Sequence, residues 1–172
     1  MRPLVLPLLL ALGLAACETM PPPPPPPPPE GGPSPFTFRT ADFAWSAIPG
    51  AGRIEGRLTY RQGPVLFSCA NVALIPESPF STRRMMTLYG SATIAAAPVE
   101  EVQSRTTPTP PGFNDFVKAA SCDAQNRFTF SGLPDGAWFL ITAAKPTTGG
   151  GPQVALMRRV VTRAGRALVV EL

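Results

Sequence analysis

The sequence predicts an all-β protein: an antiparallel sandwich of seven or eight strands, interrupted by one long insertion that contains a short helix. Two observations lead to this prediction. Short segments in which apolar and polar residues alternate recur from residue 53 to the end of the 172-residue chain, and residues that favour turns separate them at short intervals. The alternation stops at about residues 77–121, and this interruption marks the insertion.

Residues 1–16 have the composition of an export signal. Arg2 places a positive charge at the start, and the run Leu4–Leu14 is apolar apart from Pro7 and Gly13. This run is shorter than the roughly 20 apolar residues that a membrane-spanning helix needs. A buried N-terminal helix is the alternative interpretation of the segment.

The export signal ends in Leu14-Ala15-Ala16-Cys17, which resembles the signal of bacterial lipoproteins. The resemblance implies cleavage before Cys17, attachment of lipid to its thiol and acylation of the new amino group. Several acyl chains on one residue would anchor the protein stably in a membrane. Glu18 differs from the aspartate that is linked with retention in the inner membrane of enteric bacteria. We therefore expect an exported, membrane-anchored protein, in the outer membrane rather than the inner one.

Residues 17–35 would consist of the lipidated cysteine and a proline-rich spacer. The nine consecutive prolines Pro21–Pro29 lack hydrogen-bond donors and adopt polyproline II, which rises about 3.1 Å per residue. The run would hold the following domain roughly 28 Å from the membrane. A recognition sequence for an aromatic groove is the alternative. The spacer is favoured because such grooves bind prolines that are interleaved with other residues.

The first strands follow residue 52. In GRIEGRLTYR the side chains alternate with period two, which is typical of a half-buried antiparallel strand. A turn at Gln62-Gly63-Pro64 ends this segment, and VLFSCANVALIP then provides one or two strands up to Pro76. One predicted face consists of Ile54, Gly56, Leu58 and Tyr60, and the opposite face consists of Arg53, Glu55, Arg57, Thr59 and Arg61.

The remaining strands follow the insertion. RFTF at Arg127–Phe130 alternates, whereas AWFLITA is apolar on both faces, which predicts a central strand or one that is covered on both sides. The glycine-rich segment Thr147–Pro152 predicts a hairpin tip. VALMRRVV and ALVVEL then close the chain as two strands around Arg163–Arg166.

The insertion begins with a predicted helix in STRRMMTLYG, with Ser81 as the N-cap and Gly90 just past the end. Met85, Leu88 and Tyr89 would share one face of this helix. A Thr/Pro-rich loop follows at residues 106–112. Long loops in compact domains are usually functional or disordered, and both outcomes are open for the rest of the insertion.

The segment CDAQNRFTFSGLPDGAWFLITAAKP resembles the carboxypeptidase regulatory-like domain, a transthyretin-like Greek-key β-sandwich. The resemblance covers about residues 53–76 and 121–172, and it implies that residues 36–172 form one such domain. GRIEGRLTYRQGPV is similar to the first strand and turn of the family, and RRVVTRAGRALVVEL is similar to its closing β-hairpin. The positions that match the family signature are Asp123, Asn126, Phe128, Phe130, Leu133, Pro134, Gly136, Trp138 and Leu140.

The composition excludes several kinds of chemistry. The chain has no histidine, so Ser-His-Asp triads and His-containing zinc sites are excluded. The net charge of +4 is too small to indicate a nucleic-acid partner. We expect no catalytic residue, no metal site and no cofactor. The less favoured alternative is a histidine-free enzyme with two converging carboxylates, and the neighbours Glu100 and Glu101 would meet only in an irregular loop.

Two of the three cysteines, Cys69 and Cys122, remain once Cys17 is lipidated. An exported chain meets an oxidising compartment, so we expect these two residues to form a disulfide that ties the ends of the insertion together. Two separate buried thiols are the alternative.

The preferred function is that of a non-catalytic envelope lipoprotein, which presents its β-sandwich for protein interaction or structural support. The alternative is a ligand- or glycan-binding module that uses the insertion as an apolar platform. The candidate platform consists of Phe80, Met85, Met86, Tyr89 and Phe113.

Arginines on one strand face provide a second candidate surface. Arg53, Arg57 and Arg61 share that face, and guanidinium groups bind carboxylate and phosphate in a bidentate manner. They would contact an anionic polymer of the envelope. A solvated strand face is the simpler interpretation.

Overall fold

The computed structural model describes residues 37–172, so the predictions of an export signal, a lipidated Cys17 and a proline-rich spacer lie outside the described residues. Within residues 37–172 the chain forms ten β-strands, two α-helices and three short 3-10 helices. The strands are β1 (Gly52–Arg57), β2 (Arg61–Gln62), β3 (Val65–Cys69), β4 (Asn71–Pro76), β5 (Ile94–Pro98), β6 (Lys118–Ser121), β7 (Arg127–Leu133), β8 (Gly136–Pro146), β9 (Val154–Thr162) and β10 (Ala167–Glu171). The α-helices are α1 (Pro79–Tyr89) and α2 (Val99–Ser104), and the 3-10 helices are Thr40–Asp42, Ala44–Ala47 and Phe113–Phe116.

The strands form a small sheet and a large sheet. The small sheet has the order β10-β1-β7, with β1 antiparallel to β7 and parallel to β10. In the large sheet, β8 is central: β9 pairs with one of its edges, and β3 and β4 pair in succession with the opposite edge. The large sheet continues from β4 to β6, from β3 to β2 and from β9 to β5. The prediction of a β-sandwich with a helical insertion is confirmed.

The main core lies between the two sheets. The residues of β1 alternate between buried and exposed, so Ile54 faces the large sheet and is fully buried. The indole of Trp138, on β8, is also fully buried, and its Nε1 donates to Thr162 Oγ1 over 3.1 Å. The other buried members of this core are Leu58, Phe67, Cys69, Val72, Leu74, Phe128, Phe130, Leu133, Leu140, Ala144, Val154, Leu156, Val160 and Val170.

A second core lies on the opposite face of the large sheet. Ile75, Phe139 and Met157 point to that face. Residues of the insertion cover them, together with Phe38 and Phe43 near the start of the described chain. The insertion is therefore a third layer of the domain rather than an exposed loop. This layer explains why β8 is apolar on both faces: Trp138 and Leu140 contact the main core, and Phe139 contacts the second. The prediction that this strand is central and covered on both sides is confirmed.

Helix α1 begins earlier than the sequence predicts. Its N-cap is Ser78, and Ser81 is the N3 residue of a capping box in which each serine side chain accepts the backbone N–H of the other. The prediction of Ser81 as the N-cap was wrong. Proline is favoured at the first helical position, so the helix includes Pro79 and begins after Ser78. Gly90 ends the helix at φ 70°, as the left-handed C-cap conformation favours.

The disulfide between Cys69 and Cys122 is present, with 5.8 Å between the Cα atoms. Cys69 ends β3 and Cys122 follows β6, so the bond joins the two ends of the segment that contains the insertion. The prediction of this pairing is confirmed.

Three predictions about strands differ from the structure. The segment from residue 53 to residue 61 is not one strand, because β1 ends at Arg57 and β2 begins at Arg61 in the large sheet. The last two strands do not form a closing hairpin: β9 stays in the large sheet, whereas β10 crosses to the small sheet and pairs with β1. The strand count is ten rather than seven or eight, since the insertion contributes β5 and β6.

Candidate functional site

Most of the five residues that were predicted to form an exposed apolar platform on the insertion are buried or partly buried. Met85 is 1% exposed and Phe113 is 4% exposed, and both pack in the second core. Phe80 and Tyr89 pack partly buried against the same cluster, and Met86, at 43%, is the exposed member. The interpretation of these residues as one exposed platform was wrong, because their side chains cover the apolar outer face of β8 and β9.

Contacts around Arg84 hold the insertion together. Its Nη1 donates to Thr107 Oγ1 over 3.0 Å, and its guanidinium carbon lies 5.9 Å from the centre of the Phe113 ring. Burial lowers the pKa of Arg84. Burial also raises the pKa of the Tyr89 hydroxyl to about 12, and the positive charge of Arg84 partly opposes this increase. These contacts indicate a structural role for this part of the insertion.

The three candidate anion-binding arginines do not form one patch. Arg53 and Arg57 lie on the exposed face of the small sheet, and Glu55 between them forms an ion pair with Arg53 at 2.9 Å. Arg61 belongs to β2 of the large sheet. In the register of the small sheet, Arg57 has Arg127 on one side and Glu171 on the other. This face therefore carries mixed charges rather than a basic surface.

The small sheet covers β9 of the large sheet but does not reach the next strand, β5. Leu156 on β9 is 4% exposed, whereas Ile94 on the neighbouring β5 is 63% exposed. Ala96 lies directly opposite Leu156 in the ladder, so their side chains share a face, yet Ala96 is also exposed. The small sheet ends at β10, and nothing within residues 37–172 covers the face of β5 beyond it.

This uncovered face is the floor of a groove of about 480 Å³, which we call the open groove. Tyr60 and Leu172 stand beside it. Where β10 ends, Arg158 Nη1 donates to the backbone carbonyl oxygen of Glu171 over 2.6 Å. The residues that line the open groove are Thr59, Tyr60, Ile94, Ala95, Ala96, Leu156, Met157, Arg158, Glu171 and Leu172.

Tyr60 connects the open groove with two smaller cavities. One has a volume of about 90 Å³ and continues along β5 to Pro98 and Gln153. The other has a volume of about 300 Å³ and lies beside Leu66, which is 55% exposed. The Tyr60 ring packs edge-on to Phe67 with 5.2 Å between ring centres, and these contacts fix it as a rigid wall.

The Tyr60 hydroxyl accepts a hydrogen bond from Gln62 Nε2 over 3.0 Å. The open groove thus combines an apolar floor with few polar groups, of which Arg158 and Glu171 are the strongest, and Gln62 lines the smaller cavity next to it. Such a site can bind and orient a ligand. Glu171 provides the single carboxylate side chain among the residues that line the open groove, so their side chains provide no pair of carboxylates.

Several carboxylates elsewhere in residues 37–172 form structural contacts. Glu77 forms an ion pair with Arg159 at 2.6 Å, and its hydrogen bond raises the pKa of Arg159. Hydrogen bonds from the backbone and side chain of Arg127 lower the pKa of Asp123. Glu100 and Glu101 lie in α2 rather than in an irregular loop.

No group of three or more His, Cys, Asp and Glu side chains within residues 37–172 is placed to hold a metal ion. None of the helices in that range is both long and apolar enough to cross a membrane.

The sequence did not reveal the open groove. Ile94 and Ala96 lie in the stretch IAAAP, which has neither clear alternation nor strong strand-forming residues apart from Ile94. Tyr60 lies outside β1, but it packs against the main core together with Ile54 and Leu58. Its partial exposure depends on where the small sheet ends, and no local signal reports this.

Neither the protein-family models nor the curated proteins contain a match to this sequence. Among solved structures, the fold is similar to the crystal structure of a "putative carbohydrate binding protein" from Pseudomonas aeruginosa. The TM-score is 0.53 at 17% sequence identity, and the match covers 78% of this chain and 97% of that chain. At this identity, the similarity shows that the two proteins share a β-sandwich fold.

Proposed function

We propose that this chain is a non-catalytic lipoprotein of the bacterial envelope, whose carboxypeptidase regulatory-like β-sandwich binds a partner protein through the open groove. One observation carries the proposal: exposed Ile94 and Ala96 on β5 lie beside the edge of β10 that pairs with no strand within residues 37–172. Exposed apolar surface next to an open sheet edge is typical of a protein interaction site.

The anchoring part of the proposal is supported by the lipoprotein signal at Leu14–Cys17. The Cys69–Cys122 disulfide also supports export, because such bonds persist in oxidising compartments. With lipid on Cys17 and a proline spacer after it, the domain would bind partners tens of ångströms from its own membrane, in the outer membrane rather than the inner one.

Replacing Cys17 by serine tests the anchoring. We expect the variant to lose lipid labelling and to move from the membrane fraction to the soluble fraction. Unchanged membrane association would contradict this part of the proposal.

The groove part can be tested in intact cells with a photo-crosslinking amino acid at position 96. The matched control carries the same amino acid at position 86, because Met86 is 43% exposed but lies on α1. We expect an envelope protein to be crosslinked from position 96, not from position 86, and Ile94→Asp to remove the product. Equal products from both positions, or none from position 96, would overturn it.

A second candidate function is glycan binding. The Pseudomonas aeruginosa structure with a similar fold is described as a "putative carbohydrate binding protein". Tyr60 places an aromatic ring in the open groove, and the amide of Gln62 lies in the adjoining cavity of about 90 Å³. Calorimetric titration with envelope oligosaccharides would show binding that Tyr60→Ala removes. Protein interaction is preferred because the Tyr60 ring is half-buried, whereas exposed aliphatic side chains form the groove floor.

A further inference from the structure

One edge of β10 pairs with no strand in the part of the chain that the structure describes. Backbone hydrogen bonds join the other edge to the β1 segment: Arg53 N–H donates to the Arg166 carbonyl, and Leu172 N–H donates to the Arg57 carbonyl. Since backbone groups alternate in direction along a strand, Arg166, Leu168, Val170 and Leu172 face β1. Ala167, Val169 and Glu171 therefore direct their N–H and C=O groups to the opposite side, where no other strand within residues 37–172 pairs with β10.

One of these outward groups is already occupied. The Glu171 carbonyl accepts a hydrogen bond from Arg158 Nη1, which closes the edge at the end of β10. The N–H and C=O groups of Ala167 and Val169 remain, and the Val169 side chain is 77% exposed. An unpaired edge of this kind is a template for another strand.

We propose that the small sheet accepts an extended segment of the partner polypeptide as a fourth strand, antiparallel to β10. This inference rests on the proposed function and specifies how the partner binds. The segment would exchange backbone hydrogen bonds with Ala167 and Val169. Beside Glu171 it would reach the floor of the open groove, because Ile94 lies opposite Arg158 in the ladder of β5 and β9.

The structure specifies the partner's side-chain pattern. Residues that bond to β10 point their side chains to solvent, as Val169 does, and the residues between them point towards the large sheet. The bound segment would thus alternate polar and apolar residues, with an apolar side chain over Ile94.

Charges near the two ends of β10 give the segment a direction. Glu171 ends the strand, and Arg163 and Arg166 precede it; no ion pair of either arginine occurs within the described part of the chain. An antiparallel segment would begin with a basic residue at Glu171 and end with an acidic residue near the arginines.

Two other occupants fit less well. A second copy that offered its own β10 in the antiparallel orientation would bring its β5 towards β5 of the first copy, because in each copy β5 extends the large sheet beside β10. The prolines Pro21–Pro29 of this chain lack the N–H groups that a strand ladder requires. A partner with a single extended segment has neither obstacle.

The probe for the experiment is the peptide acetyl-Lys-Val-Thr-Val-Thr-Val-Asp-amide, used with the processed chain 17–172 carrying Cys17→Ser. The register places lysine opposite Glu171 and the two threonines opposite Val169 and Ala167. A first control peptide is N-methylated at both threonines, and a second is N-methylated at the outer two valines. Both controls keep every side chain, but only the first loses N–H groups that point to β10.

We expect the unmodified peptide to shift the amide NMR signals of Ala167 and Val169 and to slow their hydrogen exchange. Methylation of the threonines should weaken binding at least tenfold, since it removes two backbone donors, whereas methylation of the valines should change it little. On the protein, Val169→Pro should remove binding and Val169→Thr should preserve it. The Val169 N–H does not bond to β1, so the proline costs no existing hydrogen bond in the sheet.

Three results would overturn strand addition: no change at Ala167 and Val169 with millimolar peptide, equal effects of the two methylated peptides, or a dimer of this chain that the peptide dissociates. If position 96 still crosslinks a partner in cells while the two methylated peptides behave alike, the partner binds through side chains. Strand addition would then be wrong and the proposed function would stand. If position 96 crosslinks nothing, the proposed function itself fails.

Discussion

Removing the disulfide should cost this domain a large part of its stability. In the variant Cys69→Ala/Cys122→Ala, the unfolded chain regains the conformational freedom of a loop closed by residues 53 positions apart. The loop-closure model gives about 4 kcal/mol for a loop of this length. Typical domains are stable by about 5–15 kcal/mol, so the variant should remain folded at 25 °C but with a small margin.

The surroundings of the two cysteines indicate how much of this loss reflects the cross-link itself. Cys69 is 8% exposed, and its replacement by alanine removes a single sulfur atom, so the cavity that it leaves is small. Its backbone N–H is held by Asn126 Oδ1 at 3.2 Å, and Asn126 Nδ2 donates to the Phe67 carbonyl. The Cys122 N–H donates to the Ala70 carbonyl over 2.8 Å. These backbone contacts persist without sulfur, so the native structure should change little.

Urea unfolding of the variant and of the reduced wild-type protein measures the effect. We expect both to lose about 4 kcal/mol of unfolding free energy relative to the oxidised protein, with a steeper dependence on urea because an uncrosslinked unfolded chain exposes more surface. The reduced protein is the matched control, since it keeps both sulfurs. A loss below about 1 kcal/mol in both would refute the loop-closure argument, and a large loss in the variant alone would point to a packing defect.

Two further predictions concern the third layer. Met85→Ala should lower the unfolding free energy by about 2–5 kcal/mol through the cavity it leaves, whereas Met86→Ala should change it by less than about 0.5 kcal/mol; equal effects in thermal unfolding would contradict the burial of Met85. In a Tyr60→Phe background, Tyr89 is the remaining one of two tyrosines, so phenolate absorbance should titrate near a pKa of about 12. Folding raises the pKa of Tyr89 above its usual value of about 10, so the protonated hydroxyl contributes roughly 2–3 kcal/mol to the stability of the fold. This contribution is complete below pH 10 and is lost as the pH rises through 12. Tyr89→Phe should remove this loss in urea unfolding at pH 9 and pH 12, and a midpoint near 10 would show that the hydroxyl is exposed in solution.

Features with a local pattern were predictable. The alternation in β1 placed Ile54 in the core correctly, and the continuous apolar run in β8 showed that both of its faces are covered. The disulfide was predicted by assigning Cys17 to lipid, after which Cys69 and Cys122 permit one pairing, and the structure excludes the alternative of two separate thiols. Helix α1 was located but began one turn early, since a serine and a proline just before it also satisfy helix-start chemistry.

Features that depend on distant parts of the chain were missed or misassigned. The parallel pairing of β10 with β1 joins Arg53 to Ala167, and the local sequence of β10 is compatible with a hairpin to β9 as well. The apolar residues of the insertion looked like an exposed platform because nothing local shows that Met85 and Phe113 meet the outer face of the large sheet. The arginines at 53, 57 and 61 share a sequence pattern but lie on two sheets.

The sequence by itself determined the β-sandwich, the double-sided central strand and the absence of histidine chemistry. These properties follow from side-chain order and composition, which folding does not alter. Only the tertiary structure decided that the insertion covers the large sheet and that the small sheet stops before β5. Whether an apolar side chain such as Ile94 is core or surface depends on the layer opposite it. That layer comes from residues far away in the chain, so the open groove exists only in the folded arrangement.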